Sequence, residues 1–63
     1  MTKQEKDMWI INIENVASTV YSQYGSDVAK SVFQRYGSTG IYNLSPCYYS
    51  EVFAALELIA NDN

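Results

Sequence analysis

Cysteine and carboxylate are the side chains of this sequence that most readily do chemistry. Cys47 is the only cysteine, and it follows Ser45-Pro46 in what reads as the first turn of a helix. Helix N-termini favour thiolates. A catalytic cysteine also needs a base to take its proton, and the chain has no histidine. Cys47 therefore reads as structural or incidental. Glu5 and Asp7 fall in the opening turns of a helix, where the dipole favours acids in any case. Glu51 and Glu57 are six residues apart and do not share a helix face. There is no Glu-x-x-His pair, no Asp-x-Asp cluster and no glycine-rich phosphate loop. No catalytic residue, metal ligand or cofactor site is therefore expected, and the chain does not read as an enzyme.

The tyrosines are the stronger signal. Tyr21, Tyr24, Tyr36, Tyr42, Tyr48 and Tyr49 outnumber two phenylalanines and one tryptophan. That is more tyrosine than a core of this size needs. Partial burial with a wet hydroxyl accounts for some of it, and a contact patch accounts for the rest, because tyrosine suits surfaces that are apolar on one side and polar on the other. Tyr48 and Tyr49 project about 100° apart on a helix, so burial of both is not expected. The candidate partner-binding residues are Tyr21, Tyr24, Tyr36, Tyr48 and Tyr49, with the acids Glu14, Asp27, Glu51 and Glu57. Trp9 reads either as a core anchor or as an interface hot spot. Ser22, Ser26, Ser31, Ser38 and Thr39 are explained by capping and solvent exposure.

Charge limits the partner. Seven acids against four bases give a net charge of −3. Lys3, Lys6, Lys30 and Arg35 are scattered, whereas phosphate-directed nucleic-acid binding needs clustered Lys and Arg. A helix-turn-helix DNA binder is disfavoured for the same reason. An acidic surface suits a basic protein. No apolar signal-peptide core follows Met1 to Asp7, and no run approaches a membrane span. A cytoplasmic location is expected. The initial Met and the polar end suggest a complete small protein.

These residues must be positioned by a single domain, residues 1–63. A chain this short buries only about 60% of its unfolded surface, and no disulfide or imidazole site can brace it. Thr2-Lys3-Gln4-Glu5 fits a capping box. Trp9, Ile13, Val16, Val20 and Tyr24 then recur at helical spacing, widened by Ile10, Ala17 and Tyr21. Met8 and Ile11 lie off that stripe. The pattern aromatic, two polar residues, Tyr-Gly-Ser occurs twice, at residues 21–26 and 33–38. Each copy reads as helix punctuation, with glycine ending one helix and serine able to cap another.

A second helix is expected over about 27–36, with Val28, Ala29, Val32, Phe33 and Tyr36 on one face. Ile41 and Leu44, at i and i+3, suit one short helical turn that plugs the core. Ser45-Pro46 predicts an N-cap and first helical residue. The third helix then runs to about residue 60, with Tyr48, Val52, Ala55, Leu56 and Ile59 inside. Asn61-Asp62-Asn63 should fray. The expected fold is an all-α, compact three-helix domain with helices near 3–24, 27–36 and 46–60. The expected core is Trp9, Ile13, Val16, Val20, Val28, Val32, Phe33, Leu44, Val52, Phe53, Leu56 and Ile59.

The wording from Tyr36-Gly37 through Leu44-Ser45-Pro46-Cys47-Tyr48-Tyr49-Ser50-Glu51-Val52-Phe53, and on to Leu56-Ile59-Ala60-Asn61-Asp62, resembles a group of small proteins. They are carried by prophages and integrative elements of Firmicutes. The resemblance covers roughly the last forty residues. It implies an accessory role in a mobile element and carries over no catalytic residues. Small acidic proteins of that setting are often inhibitors of host defence, anti-CRISPR proteins among them. The expected function is a non-enzymatic protein-binding factor that occupies a basic surface of a host protein, such as a CRISPR nuclease or another nucleic-acid effector. The alternative is a homodimeric structural or regulatory module, joined through Met8, Ile11 and the edge of the third helix.

Overall fold

The computed structural model describes residues 1–61 of the chain. Helix α1 spans Lys3–Tyr24, helix α2 spans Ser26–Arg35 and helix α3 spans Tyr49–Ala60, with two 3₁₀ turns, Ile41–Asn43 and Pro46–Tyr48, between α2 and α3. No strand occurs among the described residues, and the fold is an all-α three-helix domain. At about 1.5 Å per residue the 22 residues of α1 reach about 33 Å, which sets the 34 Å long dimension of the molecule. The other two helices pack along this spine, α3 more extensively than α2.

α1 begins as its sequence predicts. Thr2 is the N-cap, and its hydroxyl accepts from the Glu5 N–H at 3.2 Å. The Glu5 carboxylate accepts in return from the Thr2 N–H at 3.3 Å and the Thr2 hydroxyl at 3.0 Å. These bonds, the side-chain one foremost, hold the Glu5 carboxyl below its ordinary pKa.

The two Tyr-Gly-Ser copies end helices in different ways. Gly25, at φ 90° and ψ 171°, is the only residue between α1 and α2. Few residues other than glycine adopt that conformation. Gly25 itself occupies the N-cap of α2 with no side-chain cap bond, and Ser26 is already helical. The expected Ser26 cap and the expected start at 27 are thereby corrected: one glycine reverses the chain and leaves no room for a separate cap. α2 also ends one residue early, at Arg35. Gly37, at φ 77°, closes it by a Schellman motif. In this motif the Gly37 N–H donates to the Gln34 carbonyl at 3.1 Å and the Ser38 N–H to the Phe33 carbonyl at 3.1 Å. The Ser38 side chain is buried and its hydroxyl also donates to the Phe33 carbonyl. The second copy therefore starts no helix.

Ile41 and Leu44 both plug the core from the connector, Ile41 within a 3₁₀ turn, as their spacing predicts. The third helix differs in its opening. Pro46–Tyr48 is a 3₁₀ turn, Ser45 makes no side-chain cap bond, and α3 proper begins at Tyr49. A 3₁₀ turn advances about 120° per residue where an α-helix advances about 100°. The buried stripe of α3 is accordingly Tyr49, Val52 and Leu56, while Tyr48 faces outward.

The core is Ile13, Ala17 and Val20 of α1, Ala29, Val32 and Phe33 of α2, Ile41 and Leu44 of the connector, and Tyr49, Val52 and Leu56 of α3. Five expected core members, Trp9, Val16, Val28, Phe53 and Ile59, pack against this cluster but are only partly buried. Ala17 and Ala29, which the helical spacing places on the inward faces, belong to the core although the expected core does not include them. Trp9 meets Phe53 edge-on, with ring centroids 5.9 Å apart at 72°. Such a pair adds about 0.5–1.5 kcal/mol beyond burial. Asn61 closes α3, its N–H donating to the Glu57 carbonyl. Asp62 and Asn63, expected to fray, lie outside the described residues.

Candidate functional site

Glu14, Ala17, Ser18 and Tyr21 recur on α1 at i, i+3, i+4 and i+7, the spacing of a single helix face. Phe33 of α2 and Ile41 of the connector complete a groove of about 330 Å³ beside that face. Ala17, Phe33 and Ile41 are buried and form its apolar wall, while Glu14, Ser18 and Tyr21 are exposed at its rim. The next residue, Tyr42, is 81% exposed yet aims its hydroxyl at the Glu14 carboxylate, 3.4 Å from each oxygen. That is long for an O–H···O bond, so the contact orients the carboxylate more than it binds it.

The connector is built to hold Tyr42 there. The Asn43 amide oxygen accepts from the Thr39 and Gly40 N–H groups at 3.1 and 3.3 Å. Its amide nitrogen donates to the Thr39 hydroxyl at 2.9 Å. Ile41 points inward and Tyr42, one residue on, points outward. The role of Tyr42 was not among the partner-binding expectations. The signal for it lay in Ile41: a core plug in a short turn forces its neighbour to the surface.

The other expected site residues do not converge here. Tyr49 is corrected outright: at 2% exposure it is a core side chain and offers no surface to a partner. Tyr36 and Tyr48 pair with each other, ring centroids 5.2 Å apart at 46°. Tyr24 is exposed at the end of α1. Asp27 and Glu51 are exposed in the first turns of α2 and α3.

Glu57 lines a second groove, about 360 Å³, with Asn12, Asn15, Val16 and Thr19 of α1 and Phe53, Ala60 and Asn61 on the α3 side. Its α1 residues and those of the first groove lie on opposite flanks of that helix. A third depression, about 260 Å³, is formed by Glu5, Met8, Trp9 and Asn12. Cys47 is exposed in the 3₁₀ turn rather than in the α-helix proper.

Among the described residues no three Cys, Asp or Glu side chains gather as metal ligands would. No buried side-chain oxygen or nitrogen lacks a hydrogen-bond partner among them. Nor is any described helix long and apolar enough to cross a membrane. The fold brings Glu14, Tyr21 and Tyr42 to one place at the surface. No protein-family model, curated protein or solved structure matches the chain.

Proposed function

We propose that this chain is a non-enzymatic protein-binding factor of a phage or mobile element. It would occupy a basic surface on a host protein, such as a CRISPR nuclease or another nucleic-acid-handling effector. The observation that supports the binding role is the exposure of Tyr21, Tyr24 and Tyr42 on a surface whose acids Glu14, Asp27, Glu51 and Glu57 form no ion pair within the described residues. Carboxylates free of intramolecular cations can steer and register a basic partner, and at Glu14 the neighbouring Tyr21 and Tyr42 can supply contact area. The mobile-element setting rests on the resemblance over residues 36–62.

The test is capture of basic nucleic-acid effectors from a host extract by the immobilised protein, repeated with pairs of acids reversed to lysine. Retention of the partner should fall about tenfold or more for at least one pair, which corresponds to about 1.4 kcal/mol. If every pairwise reversal retained the partner equally well, the electrostatic reading would be lost.

Met8 and Ile11 support a second reading, self-association. They are 63% and 56% exposed and lie on the flank of α1 away from Ile13, Ala17 and Val20. Leu58 on α3 is more exposed still, at 75%. A two-fold dimer through these side chains would use the same surplus of apolar surface without any host partner.

A further inference from the structure

We infer that the groove between α1, α2 and the Ile41–Asn43 turn receives an arginine side chain presented by a basic partner segment. The inference rests on the protein-binding reading and names the chemistry at one place on that surface. Three features of the groove select the occupant. Its wall is apolar, built from Ala17, Phe33 and Ile41, which suits the methylene stem of a long cationic side chain. Its rim carries the Glu14 carboxylate, which has no cation partner among the described residues. Two tyrosines flank that carboxylate, Tyr21 in the rim and Tyr42 in hydroxyl contact with both oxygens.

A planar guanidinium fits this set better than an ammonium. It can bind two carboxylate oxygens side by side and lie against an aromatic face, whereas lysine offers a compact, strongly hydrated point charge. Tyr42 adds direction. With its ring carried by a braced turn, its hydroxyl limits the orientations open to Glu14 before a ligand arrives, so less freedom is lost on binding. Two other acids line grooves and lack this setting. Glu5 lies beside Met8 and Trp9, but its carboxylate is engaged by the Thr2 N–H and hydroxyl, and Glu57 faces a groove whose α1 wall includes Asn12, Asn15 and Thr19.

The experiment is amide NMR titration of the folded protein at low salt with two probes, acetyl-(Gly-Arg)₄-amide and acetyl-(Gly-Lys)₄-amide. The arginine peptide should shift the amides of Ala17, Ser18, Tyr21 and Ile41 and bind about tenfold more tightly than the lysine peptide. Glu14→Gln should lower that affinity about tenfold, since bonds to a charged group exceed those to a neutral one by about this factor. Tyr42→Phe, Glu51→Gln and Glu57→Gln should each lower it by less, and Asp7→Asn, at an exposed acid with no part in the binding surface, should leave it unchanged. Glu14 and Tyr42 are both exposed, so a retained spectrum is expected for each variant.

Equal affinity for the two peptides, or no effect of Glu14→Gln, would overturn the assignment. If Glu51→Gln or Glu57→Gln were instead the damaging change, the groove would be wrong while the basic-partner reading stood. Absence of binding by either peptide at low salt would remove both.

Discussion

Tyr48 and Tyr49 are adjacent in the chain and opposite in role. Tyr49 is among the largest fully buried side chains, whereas Tyr48 lies outside and rests on Tyr36. Removing a buried aromatic ring costs about 3–5 kcal/mol, and a core of this size supplies about the same in total. Tyr49→Ala should therefore leave the chain largely unfolded at 25 °C, read as loss of helical circular dichroism. Tyr48→Ala forfeits an exposed aromatic pair worth about 0.5–1.5 kcal/mol and should remain folded with a lowered melting temperature. The reverse order of severity would contradict the placement of these two rings. Spacing puts Tyr48 on the inner stripe, four residues before Val52, and the structure reverses this: Tyr49, three residues before Val52, takes the buried place. The 3₁₀ turn at Pro46–Tyr48 decides between them. At the same scale, Glu14 was legible as an exposed acid, but its neighbour Tyr42 was not. The pair is 28 residues apart, and only the folded connector joins them.

Element boundaries were far more legible than side-chain roles. The Thr2–Glu5 box, the glycines after Tyr24 and Tyr36, and the Ile41–Leu44 step each carry a local cause, and each occurs where its cause predicts. What the repeated Tyr-Gly-Ser could not disclose is that its glycines adopt different conformations. Gly25 is a one-residue joint between two helices, and Gly37 is the left-handed residue of a Schellman close. A methyl group added at Gly25 meets no atom within 4 Å. The cost of Gly25→Ala is therefore backbone strain alone, about 1–3 kcal/mol. Urea unfolding should show a lower midpoint at an unchanged slope, since the surface exposed on unfolding stays the same. An unchanged midpoint would mean that the α1–α2 joint does not hold the conformation described here.

The whole molecule is a long helix with two shorter ones laid along it, and its unused surface sits mainly on the spine. The host-partner reading expects a monomer, because Met8, Ile11 and the tyrosines are then kept for another protein. Sedimentation and light scattering over a wide concentration range should find a single species at the monomer mass. A concentration-dependent dimer that Ile11→Glu disperses would transfer the surplus apolar surface to self-association. Three-helix architecture was readable from period and punctuation, whereas a common site was not. Acids and tyrosines were nominated by composition, and composition does not say which flank of α1 each will share.

The Trp9–Phe53 contact also has an optical consequence. The chain holds one indole, partly buried where α3 meets the N-terminal half of α1. Its emission arises at a single seam. Undocking of α3 would remove Phe53 from the ring edge, admit water and shift the fluorescence to the red. Loosening of α2, which lies against the other half of the spine, would leave that wavelength unchanged. A native fluorophore thus distinguishes which of the two short helices lets go first, with no label attached.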